Sequence, residues 1–346
     1  MPLDTRPILY PEPPPLLRED LAQCAALLAA GSKSFSTAAL LLPRRLRQPA
    51  TALYAFCRVA DDAVDLEPDP ALSVKRLNAR LDAMYQGTPE DHACDRAFAS
   101  ILLSYHIPKA LPGALIEGFA WDAAGRRYLT LWDLHGYAAR VAGTVGAMMA
   151  LLMGVRDAPR LARACDLGVA MQITNICRDV GEDARNGRIY MPLDWLREEG
   201  VDPTAWLAAP SLTPGIHRVV LRLLAHADQL YDRAESGIDA LPADCRGAIR
   251  AASRIYREIG VAIRAPGFDP VQRRAVIPAT RKVALLTRAM LPRPARATTL
   301  DEPALEATDY LVRAVPDRQM RTPTLDDRLG AIITALTRVE GPAARA

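Results

Sequence analysis

Two short stretches carry side-chain oxygens at helical spacing: YAFCRVADDAVD at 54–65 and QITNICRDVGED at 172–183. With about 100° of rotation per residue, Tyr54, Arg58, Asp61 and Asp65 fall on one stripe, beside an apolar face of Leu53, Phe56, Cys57, Ala60 and Val64. Gln172, Asn175, Asp179 and Asp183 form a second stripe, flanked by Val169, Ile173, Ile176 and Val180. Like charges one turn apart weaken a helix by about 0.2–0.5 kcal/mol per pair. A solvated face is the bland account of either stripe alone. Such faces are usually built from Lys and Glu, however, and both stripes use Asp and Asn. Short carboxylates and amides on a rigid backbone suit hard divalent cations, and Mg²⁺ takes a few protein oxygens and leaves the rest of its octahedron to water and phosphate. Two facing helices, each with an Asp-x-x-x-Asp, could hold Mg²⁺ over one diphosphate, with Arg58 and Arg178 neutralising phosphate oxygens. A di-iron centre would need Glu and a Glu-x-x-His motif, which these helices lack.

The elements that must position these stripes are helical. From about Leu21 to Leu291 apolar residues recur three and four apart, and runs of alternating β-branched residues are absent. Prolines and glycines at 41–45, 67–70, 86–91, 111–113, 202–204 and 212–215 mark helix ends. The pattern predicts an all-α chain of about ten helices in one body, with no internal repeat. Residues 1–19 read as a flexible Pro-rich tail, 20–290 as the helical domain, and 291–346 as a linker and C-terminal extension with an amphipathic helix at 328–339. The uncharged run VAGTVGAMMALLMGV at 141–155 falls short of the roughly 20 residues a spanning helix needs. It is read as a buried helix, which leaves peripheral contact as the form any membrane association takes. Along it, Gly143, Gly146 and Ala147 would leave room for a guest chain, and Val141, Val145, Met148, Met149 and Leu152 would line it. Close core packing is the competing account for each.

Half of the 346 residues are hydrophobic, enough for a sizeable core, and a net charge of +3 is too mild to argue for nucleic acid. Six cysteines without CxxC or zinc spacing, and an N-terminus without an apolar signal core, point to reduced core thiols in a cytoplasmic protein.

In order and spacing, SKSF at 32–35, YAFCRVADDAVD at 54–65, YAARVAGTVG at 137–146, QITNICRDVGED at 172–183 and GRIYMP at 187–192 resemble the squalene/phytoene synthase family. The resemblance spans about residues 20 to 290 and is greatest to the bacterial members that make 15-cis-phytoene in carotenoid biosynthesis. It implies an isoprenoid synthase fold, a single helical domain around a central cavity. It also implies head-to-head condensation of two geranylgeranyl diphosphates, through prephytoene diphosphate, with Mg²⁺ or Mn²⁺ and without NADPH. Carried over residue by residue, Asp61, Asp65, Asn175, Asp179 and Asp183 bind metal. Lys33, Arg58, Arg178, Arg188 and one arginine of RRAVIPATRK at 273–282, Arg274 preferred over Arg273, hold phosphate. Ser32, Ser34 and Phe35 lie near the first diphosphate. Tyr54, Tyr137, Tyr190 and Tyr256 face the cavity, Tyr190 being a catalytic candidate, and Val141, Val145, Gly146 and Gln172 contact the prenyl chain. The five histidines fall outside every motif. Competing expectations are farnesyl diphosphate as substrate, giving squalene, dehydrosqualene or hydroxysqualene; head-to-tail elongation; and a non-catalytic helical binding module.

Overall fold

The computed structural model describes residues 8–9, 16–31, 41–65, 69–291, 299–316 and 320–321. Ser32, Lys33, Ser34 and Phe35, the side chain of Asp65 and the stretch 328–339 lie outside the described residues.

The proline punctuation works mainly as helix starts. Asp69, Asp157, Asp202 and Thr213 each accept a bond from a backbone N–H three residues on, and a proline follows in the first turn of each helix. Such a cap satisfies an orphan donor and contributes about 1 kcal/mol, and proline loses nothing where the helix needs no N–H. The helices are α1 (Arg18–Gly31), α2 (Arg44–Asp65), α3 (Pro70–Tyr85), α4 (Ala93–Ser104), α5 (Ala110–Ala123), α6 (Leu131–Ala138) and α7 (Thr144–Leu152). They continue as α8 (Ala158–Arg185), α9 (Leu193–Glu198), α10 (Pro203–Ala208), α11 (Pro214–Ala240), α12 (Ala243–Ile263), α13 (Ala279–Met290) and α14 (Glu306–Arg313). The sequence pattern predicts about ten. The additional ones are short, such as α9 and α10, whose six residues are under two turns and too few to show a period. Beyond the helices, Ile8–Leu9 pairs in parallel with Met320–Arg321.

The 28-residue α8 is the axis of the fold, packed along α11, α7 and α12. Its apolar face, including Leu161, Cys165, Val169, Ile173, Ile176 and Val180, is buried. Two glycines set the α7–α8 distance. A Cβ on Gly146 would lie 2.2 Å from the Ala164 carbonyl oxygen, and one on Gly168 would lie 2.3 Å from that of Ala142. Only hydrogen fits at either place.

The stretch expected as one buried helix is two pieces. Ala139–Gly143 forms a π-helical turn between α6 and α7. Ala147, Met148 and Leu152, expected at a guest chain, are fully buried in the protein core instead. Gly143 faces Leu311 and Thr308 of α14, with contacts of 3.5 and 3.6 Å to a Cβ placed there. This α14 is unanticipated, because eight residues behind a proline-rich stretch give no readable period. It nevertheless buries Ala307, Thr308, Leu311 and Val312 against the body.

Away from the acidic stripes, His135 of α6 and His226 of α11 meet ring nitrogen to ring nitrogen at 2.7 Å, with their rings stacked. One nitrogen carries the hydrogen and the other the lone pair, and burial favours the neutral form of both rings. Burial, followed by the His226 ring, pushes the His135 pKa from 6.5 down to about 4, and burial lowers that of His226 as well. Between those two values the unfolded chain takes up a proton that the folded chain refuses, so stability falls as pH drops from 6.5 to about 4 and then levels off. For His135 the loss is about 3 kcal/mol. Urea titrations at pH 7 and pH 4.5 should show it, and in a His135→Gln variant the pH dependence should shrink.

Candidate active site

Five elements enclose one cavity: α2, the π-turn with α7, α8, α11 and α12. Its volume is about 300 Å³. At one end stand Tyr54 and Cys57 of α2, Gln172 and Asn175 of α8, and Tyr256 of α12. Val141, Val145, Gly146, Met149 and Met171 wall its length, and Met153, Arg160, Arg163 and Leu241 lie towards the other end. The expected prenyl contacts Val141, Val145, Gly146 and Gln172 therefore share one space with Tyr54 and Tyr256. The space is apolar because α7 and α8 present small or aliphatic side chains to it.

At the polar end the charges are already arranged in pairs. Asp179 accepts from Arg178 through both carboxylate oxygens, at 2.8 and 2.6 Å. Arg274 adds Nε and Nη2 on the same carboxylate, at 2.7 and 3.2 Å, and reaches Glu182 at 3.4 Å. Arg273 turns away, its guanidinium 4.9 Å from the centre of the Phe268 ring. On the facing helix Arg58 donates to Asp62 at 3.0 Å and sits 3.5 Å from Asp61. Sequence reasoning assigned these arginines to phosphate; here their partners are the neighbouring carboxylates. Gly181 lets the loop after α12 close over α8, since a Cβ there would lie 1.9 Å from the Val271 carbonyl oxygen. That closure is what delivers Arg274.

Asp183 is the least comfortable of the acids. Burial first, then the charge of Asp179, pushes its pKa up to about 7, with Arg188 opposing the rise and Glu182 and Asp122 adding to it. Asp183, Arg188 and Tyr190 border a small recess with Trp206.

Tyr137 and Tyr190 do not line the main cavity. Both donate to one carboxylate, that of Asp122, each at 2.7 Å, and their rings stack 5.1 Å apart with Tyr128 alongside. Burial and the Asp122 charge raise both phenol pKa values, so both remain protonated donors. Sequence reasoning missed Asp122. The available signal was a lone Asp in ALPGALIEGFAWDA, a helix otherwise almost devoid of charge.

The described oxygen donors at the polar end stop short of a finished metal site. Among the described residues, no three His, Cys, Asp or Glu side chains converge into a finished ligand cluster. Two observations fit a cation nonetheless. Asn175 Oδ1 is buried with no hydrogen-bond partner, although buried acceptors are ordinarily satisfied. The crowding that raises Asp183 is what a positive ion relieves.

Residues 28–281 match the squalene/phytoene synthase family. The chain is 47% identical over 333 residues to a phytoene synthase of Rhodobacter capsulatus, covering 93% of this chain and 97% of the relative. It is 43% identical over 265 residues to a 15-cis-phytoene synthase of a Paracoccus species, covering 74% and 86%. Among solved structures, a ligand-bound dehydrosqualene synthase superposes with a TM-score of 0.73 at 32% identity, covering 79% of this chain and 95% of that one. A squalene synthase of Alicyclobacillus acidocaldarius gives 0.67 at 26%, covering 73% and 96%. The helical cavity, the paired acidic helices and these matches agree, and the chain belongs to the squalene/phytoene synthase family.

Proposed function

We propose that the chain is a prenyltransferase that condenses two geranylgeranyl diphosphates head to head, through prephytoene diphosphate, to phytoene. The observation that carries this reading is the junction of a charge-dense end with a long apolar cavity. Allylic diphosphates have that same division, a highly charged head on a hydrocarbon chain. The described oxygen donors for metal are Asp61, Asn175, Asp179 and Asp183, with Asp65 added by the family resemblance. Mg²⁺ or Mn²⁺ held there would supply positive charge to a departing diphosphate. Arg58, Arg178, Arg188 and Arg274 stand within the same region and can exchange carboxylate partners for phosphate oxygens, a bidentate match for a guanidinium. Lys33, Ser32, Ser34 and Phe35 join this set through the resemblance alone.

The walls perform the second task. An allylic cation must meet the partner's double bond before it meets water, and Val141, Val145, Met149 and Met171 offer it no nucleophile. Tyr54 and Tyr256, at the boundary between charge and hydrocarbon, can place the cation against their ring faces. No helix among the described residues is long and apolar enough to cross a membrane, and we place delivery of the water-insoluble product at a peripheral lipid contact. Co-sedimentation with liposomes checks that placement, and absence of binding counts against it.

Purified protein incubated with geranylgeranyl diphosphate and Mg²⁺ or Mn²⁺, without NADPH, is expected to yield phytoene and diphosphate. Turnover of farnesyl diphosphate alone would move the reading to a squalene-type product, and no turnover of either would leave the helical binding module.

A further inference from the structure

The end of the cavity remote from Asn175 contains a feature that dry hydrocarbon packing does not require. Arg163, on the cavity wall, has a fully buried side chain, and so does Asp166 one turn further along α8. Arg163 Nε lies 2.9 Å from Asp166 Oδ2, and Arg233 of α11 donates to the same oxygen at 3.1 Å. The other nitrogens of both arginines bond to segment 299–303. Arg163 donates to the Thr299 and Pro303 carbonyls at 2.5 and 3.1 Å, while Arg233 donates to Pro303 at 2.9 Å and to Glu302 at 2.5 Å. Thr299 closes the arrangement through its hydroxyl, bonded to the Arg233 carbonyl and to Ser236. Gly237 of α11 fixes the route of the Arg163 chain, because a Cβ there would sit 2.3 Å from Arg163 Cβ.

A buried ionic group of this kind adds little stability over an apolar substitute of the same shape, so its presence calls for another role. Residues 299–303 lie beyond the 28–281 stretch that matches the family. Between Asn175 and Arg160, both cavity-lining residues of α8, there are fifteen steps, or about 22 Å of helix at 1.5 Å per residue. Only the terminal part of a long prenyl chain reaches the arginine end.

We propose that Asp166, Arg233 and segment 299–303 act as a positioning brace that holds the Arg163 guanidinium out of the cavity and so keeps its far end dry enough for the last unit of a C20 chain. The inference rests on the reading that a prenyl chain occupies this cavity. With the brace weakened, the guanidinium and its water enter the far end, and a C20 chain is penalised where a C15 chain is not.

The test uses the full chain and the unreactive thiolodiphosphate analogues of geranylgeranyl and farnesyl diphosphate, with dissociation constants from calorimetry. One methylene in an apolar pocket is worth about tenfold or more, so Asp166→Asn should weaken C20 binding by about tenfold and leave C15 binding nearly unchanged. Glu302→Lys, at the exposed side of the brace, should shift the C20-to-C15 ratio in the same direction and supports or overturns the proposal should Asp166→Asn fail to fold. Adding Arg163→Met to either variant removes the charge that needs holding and should restore the C20 preference. Equal weakening of both analogues, or an unchanged ratio in a folded variant, overturns the brace. Failure of the wild-type protein to convert geranylgeranyl diphosphate overturns the functional reading instead, so the two failures are distinguishable.

Discussion

Replacing Asp179 with Asn is expected to lower kcat/KM for geranylgeranyl diphosphate by about 10²–10³-fold, the usual cost of removing one preorganised electrostatic group, while the thermal midpoint stays close to wild type. Asn keeps the shape and one acceptor oxygen for Arg178 and Arg274, whose bonds to Asp179 run from 2.6 to 3.2 Å. Mutual repulsion along the stripe would by itself make Asp179→Ala harmless to stability. The structure changes that expectation: Asp179 is the shared partner of two guanidiniums, and truncation leaves Arg178, with its side chain only 20% exposed, short of acceptors. Asp179→Ala should therefore cost about 1–3 kcal/mol as well as activity. Thermal melts of the Asn and Ala variants beside initial rates separate the two effects. Equal activity of Asp179→Asn and wild type would remove Asp179 from the charged machinery.

The second large effect is on the fold. Gly168→Ala pushes a Cβ to 2.3 Å from the Ala142 backbone carbonyl, where no flexible side chain can yield, so the π-turn and α8 must separate. Overpacking costs typically 1–3 kcal/mol, and more when backbone must move, which for a chain of this size lowers Tm by about 2–4 °C or more. Turnover should fall with it, because the displaced π-turn and the α7 that follows it carry Val141, Val145 and Met149 of the cavity wall. Gly113→Ala is the control: nothing lies within 4 Å of its Cβ, and removing a glycine from α5 should hold or raise Tm. Circular dichroism melts of the pair decide it, and an unchanged Tm for Gly168→Ala would contradict the close approach.

What was readable in the chain follows from where each partner lies. The stripes of α2 and α8 were legible because their members are three and four residues apart, and the helix ends at 67–70, 202–204 and 212–215 because the capping residue and its proline lie within one turn. Asp122 was not, since Tyr137 and Tyr190 stand 15 and 68 residues away and nothing local marks their convergence. The preference for Arg274 over Arg273 could not come from two adjacent arginines; a glycine at 181 and a loop fold are what aim one at Asp179 and the other at Phe268. The brace at Arg163 was hidden for the same reason, with acceptors 136 and 140 positions further on.

The π-turn at Ala139–Gly143 has an angular consequence for everything after it. Val141, Val145, Met149 and Met153 reach the cavity at intervals of four, a spacing that outruns the 3.6-residue helix and rotates steadily off one face. Over the three intervals from Val141 to Met153 an unbroken α-helix would spread these residues through about 120°, and the wider turn, taking up one extra residue, absorbs part of that drift ahead of α7. The turn thus acts as a phase corrector between α6 and the hydrocarbon-facing edge of α7, and deleting one residue within 139–143 should convert it to an ordinary α-helical turn and leave the phase of α7 relative to α6 nearly unchanged.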